Sequence, residues 1–554
     1  MLLHLLLAAA TAAAAATPTS APVATVNTTT YTGLTRNGVD VFLGIRYGQD
    51  TSGAQRFRPP RAYAPPANAA VVAATDGGPA CAQADSDGAA ISEDCLRLNV
   101  VRPKGSHPGS RHAVMVFIHG GGFWEGAKDE VLYEPDGAVL ESVRSGQPIV
   151  HVAINYRLNV FGFAQHPDLL AEGSTNIGLR DQRLALEWVR ANIAQFGGDP
   201  SRVTIYGQSS GGLSVGLHLL ARAPSSPPPF QRAIMQSTAL EKGITGTYTA
   251  EAMSRILSAT NCSSTPEDHQ VACLRALPMA ALVAAAADTY SAAPDHNIGD
   301  IWLPQVDGDF LPDAPSALVR GGRLAGGNVS AVFGWCEDDM TVSTPDWVRT
   351  PQHTRRVVGD YLRGQAASVV DGLVALYPSG EFRGGAAAAA LGSEYYRTAR
   401  IIRDLLMVCP PVMYARHLAA AATHDNSVFL YNWNQTMHPE SLLRITHASE
   451  LAYVFGNLSH PDLGGDGTDR PSPVDARLRD RATRSWSAFA AAGRPDQGRG
   501  VFDLWKPAFA AGGKDAKGGE VFIAGGPGEG MVDLAGYERL GERCAYIEKY
   551  VNID

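Results

Sequence analysis

Residues 203–212 read VTIYGQSSGG, and this stretch decides the fold of the chain. The apolar run VTIY predicts a strand, and the run LSVGLHLL that begins at Leu213 predicts a helix. Between them lies a G-x-S-x-G pentapeptide centred on Ser209. A sharp strand–turn–helix connection holds a serine hydroxyl clear of the strand end, and the flanking glycines let two backbones approach closely. The stretch predicts that Ser209 is a nucleophile. A chain with this many glycines should nevertheless contain about half a G-x-S-x-G match by chance alone.

The composition favours one large core. A chain of 554 residues would ordinarily hold two or three domains, but no long charged or Pro/Ser linker interrupts it and 45% of its residues are hydrophobic. We therefore expect a single domain over residues 17–554, with loop insertions. The net charge of −9 disfavours nucleic acid, whose phosphates would repel an acidic surface. We expect a small soluble molecule as the partner, and we expect no membrane-spanning segment. The composition does not indicate an oligomeric state.

Residues 1–16 form an apolar Leu/Ala run that ends in three alanines. This is typical of a secretory signal peptide with a small-residue cleavage site, although the usual basic residue is missing. The alternative is an ordinary buried helix. We predict a secreted, extracellular protein, and the N-x-S/T sequons are compatible with that route, although chance would supply several. Besides Asn261, these sequons give four candidate glycosylation sites: Asn27, Asn328, Asn434 and Asn457.

A second glycine-rich turn follows a buried strand. Residues 114–118, VMVFI, are apolar on both faces, as in a central parallel strand, and lead into HGGGF at 119–123. Three successive glycines leave backbone N–H groups bare, and such donors stabilise a developing oxyanion by about 3 kcal/mol each. The alternative is a flexible turn. Further strands alternate with helices, for example a strand at 149–155 and a helix at 179–196, so we expect an α/β fold with a parallel sheet.

A serine hydroxyl needs an imidazole to take its proton and a carboxylate to orient that imidazole. On a strand–turn–helix elbow the expected chain order is serine, acid, histidine. The stretch GWCEDDMT at 334–341 follows a strand-like run and places three carboxylates at a strand end. His447 lies downstream in ITHASELAYVFG, and His438 and His460 are close enough in sequence to compete with it.

Several motifs together resemble those of the type-B carboxylesterases, the cholinesterase-like branch of the α/β-hydrolases. Within that family the chain resembles a secreted carboxylesterase of the fungal type. The match runs in order from about Thr35 to Tyr550. It implies a large, mostly parallel central sheet flanked by helices. It also implies a serine carboxylic ester hydrolase that works through an acyl-enzyme and needs no metal or cofactor. Besides the elbow, the motifs are FLGI at 42–45, RFRPP at 56–60, EDCL at 93–96, HGGGF at 119–123, NYR at 155–157 and FGGDP at 196–200.

The resemblance implies a role for each residue of a catalytic triad. Ser209 is the nucleophile and His447 the general base. Asp339 takes the position of the acid, where the family commonly has D-E-G and this chain has D-D-M. Loss of that glycine and the shorter acid leave Asp338 as an alternative.

Residues around the triad follow from the same resemblance. The implied oxyanion hole consists of the N–H groups of Gly121, Gly122 and Ser210, where serine replaces the usual alanine. Gln208 stands where many relatives have glutamate, which removes one attraction for cationic substrates. Ser237 matches a serine that supports the acid, with a plain strand cap as the alternative. Arg56 and Glu93 match a structural ion pair, with a solvated Arg56 as the alternative.

The chain has seven cysteines. In an oxidising compartment, a bridge from Cys81 to Cys95 is the simplest interpretation, and Cys262 with Cys273 is a second pair in a polar stretch. The resemblance implies a third bridge, between Cys409 and Cys544. Cys336 would then be the odd thiol, beside the acid loop.

The first disulfide loop bears on the substrate. Lipases that resemble this chain cover the site with a long flap held by that disulfide, whereas Cys81 and Cys95 are close in sequence. The loop also has no tryptophan to hold a quaternary ammonium group, so choline esters are disfavoured. We expect an open esterase acting on short-to-medium acyl esters. The alternatives are a lidded lipase acting on insoluble triglycerides and a catalytically silent binding or adhesion protein.

Overall fold

The computed structural model describes most of the chain beyond residue 20. The predicted signal peptide at 1–16, Asn328 and His460 lie outside the described residues. The described residues are 21–554 without 66, 85–87, 223–227, 242, 294–299, 325–328, 383–389, 422–426, 439–440, 459–470 and 510–517.

Three sheets are described, and the largest is an eleven-stranded central sheet. The strands in the described residues are β1 (Val23–Val26), β2 (Thr29–Thr32), β3 (Leu34–Arg36), β4 (Val39–Arg46), β5 (Ala70–Ala73), β6 (Ala80–Cys81), β7 (Ile91–Ser92), β8 (Arg97–Pro103), β9 (His112–Ile118), β10 (Ile149–Ile154), β11 (Gly198–Gln208), β12 (Arg232–Gln236), β13 (Ser330–Cys336), β14 (Val428–Trp433), β15 (Glu520–Ala524) and β16 (Gly530–Asp533).

Helices connect most of the central strands. The α-helices in the described residues are Asp136–Arg144, Asn159–Phe163, Pro167–Ala171, Ile177–Asn192, Ser210–Leu220, Tyr248–Ala259, Glu267–Ala276, Met279–Ser291, Pro315–Arg320, Pro351–Tyr361, Ala367–Ala375, Ser393–Arg403, Cys409–Ala421, Leu451–Val454, Pro473–Ala492 and Leu540–Tyr550. A π-helix, Asp404–Val408, joins two of them.

The central sheet has the strand order β16-β15-β14-β13-β12-β11-β9-β10-β8-β4-β3. The pairings from β10 across to β15 are parallel. The strands at both edges join in antiparallel fashion. This mixed but mostly parallel sheet with flanking helices confirms the predicted α/β-hydrolase fold.

Burial explains why the central strands are apolar along their length. Every residue of β10 and β13 is buried, because helices cover both faces of this part of the sheet. One core cluster packs on each face of the sheet. Successive side chains of a strand point to opposite faces and therefore enter different clusters. The carboxyl ends of neighbouring parallel strands therefore meet at one edge, and the predicted triad residues follow strands there.

The structure contains the three predicted disulfide bridges, Cys81–Cys95, Cys262–Cys273 and Cys409–Cys544. Cys336 is a buried free thiol. Across the described part of the chain, no single helix is long and apolar enough to cross a membrane. Helices Glu267–Ala276 and Met279–Ser291 meet that test only as a pair, bent by 115° at their junction.

Candidate active site

Ser209 lies on a strained turn between β11 and the helix Ser210–Leu220. Its φ is 59° and its ψ is −130°, which a serine adopts only where the surroundings impose it. A Cβ added to Gly211 would lie 2.1 Å from the carbonyl oxygen of Ile118 on β9. The elbow thus requires a glycine at this position, as the pentapeptide predicts. Ser209 is held in the turn by its N–H, which donates to Gln236 O at 2.9 Å.

His447 is oriented by Asp339. Nδ1 of the imidazole lies 2.5 Å from Oδ1 of Asp339. The carboxylate is fully buried, and its Oδ2 accepts the backbone N–H of Cys336 at 2.8 Å. The neighbouring Asp338 is directed elsewhere, with its carboxylate 3.6 Å from Arg400. The structure therefore brings Asp339, and not Asp338, to the imidazole.

The loops that carry these two residues are joined by their backbones. The N–H of Asp338 donates to Ile445 O at 3.0 Å, and the hydroxyls of Thr341 and Thr446 are 2.9 Å apart. These contacts link residues about a hundred positions apart. They fix the distance between the acid loop and the histidine loop independently of the triad side chains.

The environment of His447 favours the imidazolium. Burial alone would disfavour the charged ring, but the charge of Asp339 and its hydrogen bond outweigh that effect and raise the pKa of His447 above its ordinary value. The side chain is 21% exposed, at the wall of the cavity that also contains Ser209. An imidazole in this setting is well suited to accept a proton and hold the resulting charge.

Gln208 contacts the other nitrogen of this ring. Its side-chain nitrogen lies 3.0 Å from Nε2 of His447. With Nδ1–H directed to Asp339, Nε2 is the acceptor and the Gln208 amide the donor. Among the described residues, no hydrogen bond joins Ser209 Oγ to the imidazole. Ser209 and His447 nevertheless line the same cavity, and the Nε2 lone pair that an attacking serine needs is engaged by the Gln208 amide.

The glycine-rich turn after β9 faces the serine. Gly121 and Gly122 have φ values of 98° and 59°, and a Cβ on Gly120 would lie 3.0 Å from the Cβ of Ser209. Trp124 and Glu125 donate their N–H groups to Gly121 O, which closes the turn. Within the described residues, neither Gly121 nor Gly122 donates its N–H in a hydrogen bond.

Ser210 adds a third candidate donor, since it is the first residue of the helix and its N–H lies at the helix N-terminus. Its hydroxyl accepts the N–H of Phe123 at 3.2 Å, which ties the glycine turn to the elbow. The turn and the helix start therefore supply the backbone groups that an oxyanion hole requires.

The expected supporting serine and the expected ion pair have different outcomes. Ser237 was expected to support the acid, but its hydroxyl is buried without a hydrogen-bond partner in the described part of the chain. The oxygen of Asp339 that does not face His447 is bound by the backbone of Cys336 instead. Arg56 and Glu93 form the expected buried ion pair, with Arg56 Nε 2.8 Å from Glu93 Oε2.

Other lining residues carry no sequence motif and were missed by sequence reasoning. The cavity at Ser209 has a volume of about 120 Å³, and its lining includes Glu125, Glu241, Asp300 and Tyr290. They come from three separate segments, so only tertiary structure assembles them. A larger cavity of about 310 Å³ lies elsewhere, beside Lys128, and contains none of the triad residues.

The sequons differ in accessibility. Asn27 is exposed and Asn434 is half-buried. Asn457 is 9% exposed, and its Nδ2 donates to the carbonyl groups of Val131 and Leu132. Because a glycan would attach to that nitrogen, the folded structure argues against Asn457 as a glycosylation site.

Comparison with known proteins agrees with this geometry. The model of the carboxylesterase family matches residues 20–517. A secreted lipase of Arthroderma benhamiae is 46% identical over 94% of this chain and 92% of its own length. An inactive carboxylesterase-like protein of Byssochlamys spectabilis is 34% identical over 85% and 83%. A solved structure, a thermophilic PNB esterase, superposes with a TM-score of 0.76 at 27% identity, covering 94% of this chain and 99% of that one.

The serine elbow on a mostly parallel sheet, with an oriented histidine beside it, is the arrangement of an α/β-hydrolase. The chain belongs to the carboxylesterase family and is a carboxylic ester hydrolase.

Proposed function

We propose that this protein is a secreted serine esterase that cleaves short-to-medium acyl esters through an acyl-enzyme. The observation that carries the proposal is the hydrogen bond from His447 to the buried Asp339, beside a serine held on a strained elbow. This pattern leaves Nε2 of the imidazole as a base directed towards the serine cavity.

In the proposed reaction, Ser209 Oγ attacks the ester carbonyl while His447 Nε2 takes its proton. The N–H groups of Gly121, Gly122 and Ser210 bind the oxyanion of the tetrahedral intermediate. The imidazolium then protonates the leaving alcohol as the intermediate collapses to an acyl-enzyme. Water, deprotonated by the same imidazole, releases the acid and restores Ser209. The amide of Gln208 must move off Nε2, or share it, when the hydroxyl binds.

Secretion is supported by three separate observations. The three disulfides are typical of an oxidising compartment. A relative that is 46% identical is named as secreted. Residues 1–16 have the composition of a signal peptide.

The substrate class is supported by the size of the site. Cys81 and Cys95 are only 14 positions apart, which limits any flap built from their loop. A cavity of about 120 Å³ accommodates a short acyl group more readily than a long one. The second candidate function is a lidded lipase acting on insoluble triglycerides, favoured by the name of the 46% identical relative.

The first experiment tests the nucleophile and the acid. We expect Ser209→Ala to lower kcat for p-nitrophenyl butyrate by several orders of magnitude and to abolish labelling by a fluorophosphonate probe, while the far-UV spectrum is retained. Asp339→Asn should lower kcat far more than Asp338→Asn, its matched control. Labelling of the Ser209→Ala protein, or absence of labelling in folded wild type, would remove Ser209 from this role. The latter result would instead favour a silent binding protein, as in the inactive relative.

The second experiment tests the substrate class. Rates with a short triglyceride are measured through its solubility limit, beside p-nitrophenyl esters of increasing chain length. We expect an ordinary saturation curve and a preference for short-to-medium chains. A jump in rate when droplets form, or a preference for long chains, would show that the protein is a lipase.

A further inference from the structure

The cavity at Ser209 is unusually acidic for one that is expected to receive an uncharged ester. Three acidic residues line it, Glu125, Glu241 and Asp300. Glu241 and Asp300 are 2% and 9% exposed, whereas Glu125 lies at the exposed mouth. Among the described residues that line this cavity, none is lysine or arginine.

Glu241 is the group that points most directly to a missing partner. Its Oε1 is buried and has no hydrogen-bond partner in the described part of the chain. A buried carboxyl oxygen left without a donor costs free energy, and proteins rarely retain such a group without a reason. Burial, followed by the charge of Asp300, raises the pKa of Glu241 well above its ordinary value. The two carboxyl groups are thus close enough to influence each other.

Asp300 places a second carboxyl group beside the glycine turn of the site. A Cβ added to Gly122 would lie 2.2 Å from Asp300 Oδ1, so the carboxyl group touches the glycine turn that faces Ser209. Burial raises the pKa of Asp300 to about 7, and the nearby His447 opposes that shift. An uncharged alkyl chain placed here would leave Oε1 of Glu241 buried without a hydrogen-bond donor. A group that donates hydrogen bonds and carries positive charge would satisfy this oxygen, and the neighbouring Asp300 would add to the attraction.

We propose that Glu241 and Asp300 form a subsite for a protonated amino group on the ester substrate. This inference rests on the proposed serine esterase and narrows its substrate class. A small alkylammonium group fits a cavity of this size, and Met340, Met407 and Tyr290 provide apolar lining for its alkyl substituents. The subsite acts through two buried carboxyl groups, and it does not need the tryptophan platform that is missing from the first disulfide loop.

The test compares esters that differ only in the charge of one group. For the alcohol side, dimethylaminoethyl acetate is paired with isopentyl acetate, in which CH replaces the protonated nitrogen. For the acyl side, p-nitrophenyl dimethylaminobutyrate is paired with its carbon isostere. The quantity measured near neutral pH, after subtraction of uncatalysed hydrolysis, is the ratio of kcat/KM for the cationic ester to that for the neutral one. This ratio cancels differences in the amount of active enzyme.

We expect the wild-type ratio to exceed one by about tenfold in at least one pair, and that pair identifies the side of the ester that enters the subsite. Glu241→Gln and Asp300→Asn should each bring the ratio towards one. Asp503→Asn, which removes an exposed carboxyl group outside the cavity lining, is the matched control and should leave it unchanged.

The subsite is wrong if wild type does not prefer the cationic ester in either pair, or if neither carboxyl substitution changes the ratio. It is also wrong if the substitutions lower both rates of a pair equally. Failure of the parent proposal looks different, because wild-type protein would then hydrolyse neither member of a pair and would not be labelled by the fluorophosphonate.

Discussion

At the scale of single residues, His447 has two hydrogen-bonding contacts with opposite effects on the stability of its charged form. Asp339 binds Nδ1 at 2.5 Å and stabilises the imidazolium, while the Gln208 amide lies 3.0 Å from Nε2 and can bind only the neutral form there. The charge state of the base is therefore set chiefly by Asp339 on its Nδ1 side and the neutral Gln208 on its Nε2 side, while the charges of Glu450 and Asp300 also favour the imidazolium.

The acidic limb of the pH–rate profile should report this balance. His447 acts as a base only when neutral, so activity is lost as the pH falls through its raised pKa. Asp339→Asn removes the stabilising charge and lowers that pKa. We expect the acidic limb of kcat/KM to move to lower pH, with a fall in kcat of about 10⁴-fold from loss of the correct tautomer.

Gln208→Glu provides the opposite substitution. A carboxylate near Nε2 favours the imidazolium, so the acidic limb should move to higher pH. The profile of Asp300→Asn separates the titration of Asp300, with its pKa of about 7, from that of the imidazole. Shifts in the same direction for Asp339→Asn and Gln208→Glu would contradict this account of the site.

At the scale of elements, the elbow depends on close contact between β9 and the helix Ser210–Leu220. The Cβ of an alanine at 211 would lie 2.1 Å from Ile118 O, and this backbone atom belongs to a central strand that cannot move alone.

Gly211→Ala should therefore lower the free energy of unfolding by about 3 kcal/mol and reduce activity more than stability alone explains. Urea denaturation and single-turnover acylation measure the two effects. Gly359→Ala, in the helix Pro351–Tyr361, is the control. No atom lies within 4 Å of the new Cβ, and helix propensity predicts a gain of about 1 kcal/mol. Equal effects of the two substitutions would argue against steric control of the elbow.

At the scale of the whole molecule, the disulfides constrain loops of very different length. Cys409–Cys544 joins residues 135 positions apart and fixes the C-terminal helix Leu540–Tyr550 to the helix Cys409–Ala421. Cys262–Cys273 closes a loop of only 11 positions. A cross-link that closes a longer loop removes more conformational entropy from the unfolded chain.

Replacing both cysteines of the long bridge by alanine should cost more stability than doing so at the short bridge. The chain-entropy relation predicts a difference of about 2 kcal/mol between the two double variants. Urea midpoints under non-reducing conditions measure it, with wild type as reference. Equal losses would mean that local packing, and not loop closure, determines what each bridge contributes.

Much of the fold and part of the site are predictable from local sequence. The strand at β11, the strained serine and the helix after it are specified by a few adjacent residues, because steric restrictions on the backbone act between near neighbours. The same holds for Gly121 and Gly122, whose positive φ values an ordinary side chain would resist. The order of serine, acid and histidine follows from the topology that these local elements define.

Other features required the tertiary structure. The choice of Asp339 over Asp338 depends on which side chain faces a loop about a hundred residues away, and the sequence offers two adjacent aspartates with no local difference. The unpartnered hydroxyl of Ser237, the amide of Gln208 on His447 and the buried Glu241 and Asp300 likewise follow from packing between distant segments. Local sterics set the path of the backbone, whereas the direction and the charge environment of a side chain depend on what the rest of the chain brings to it.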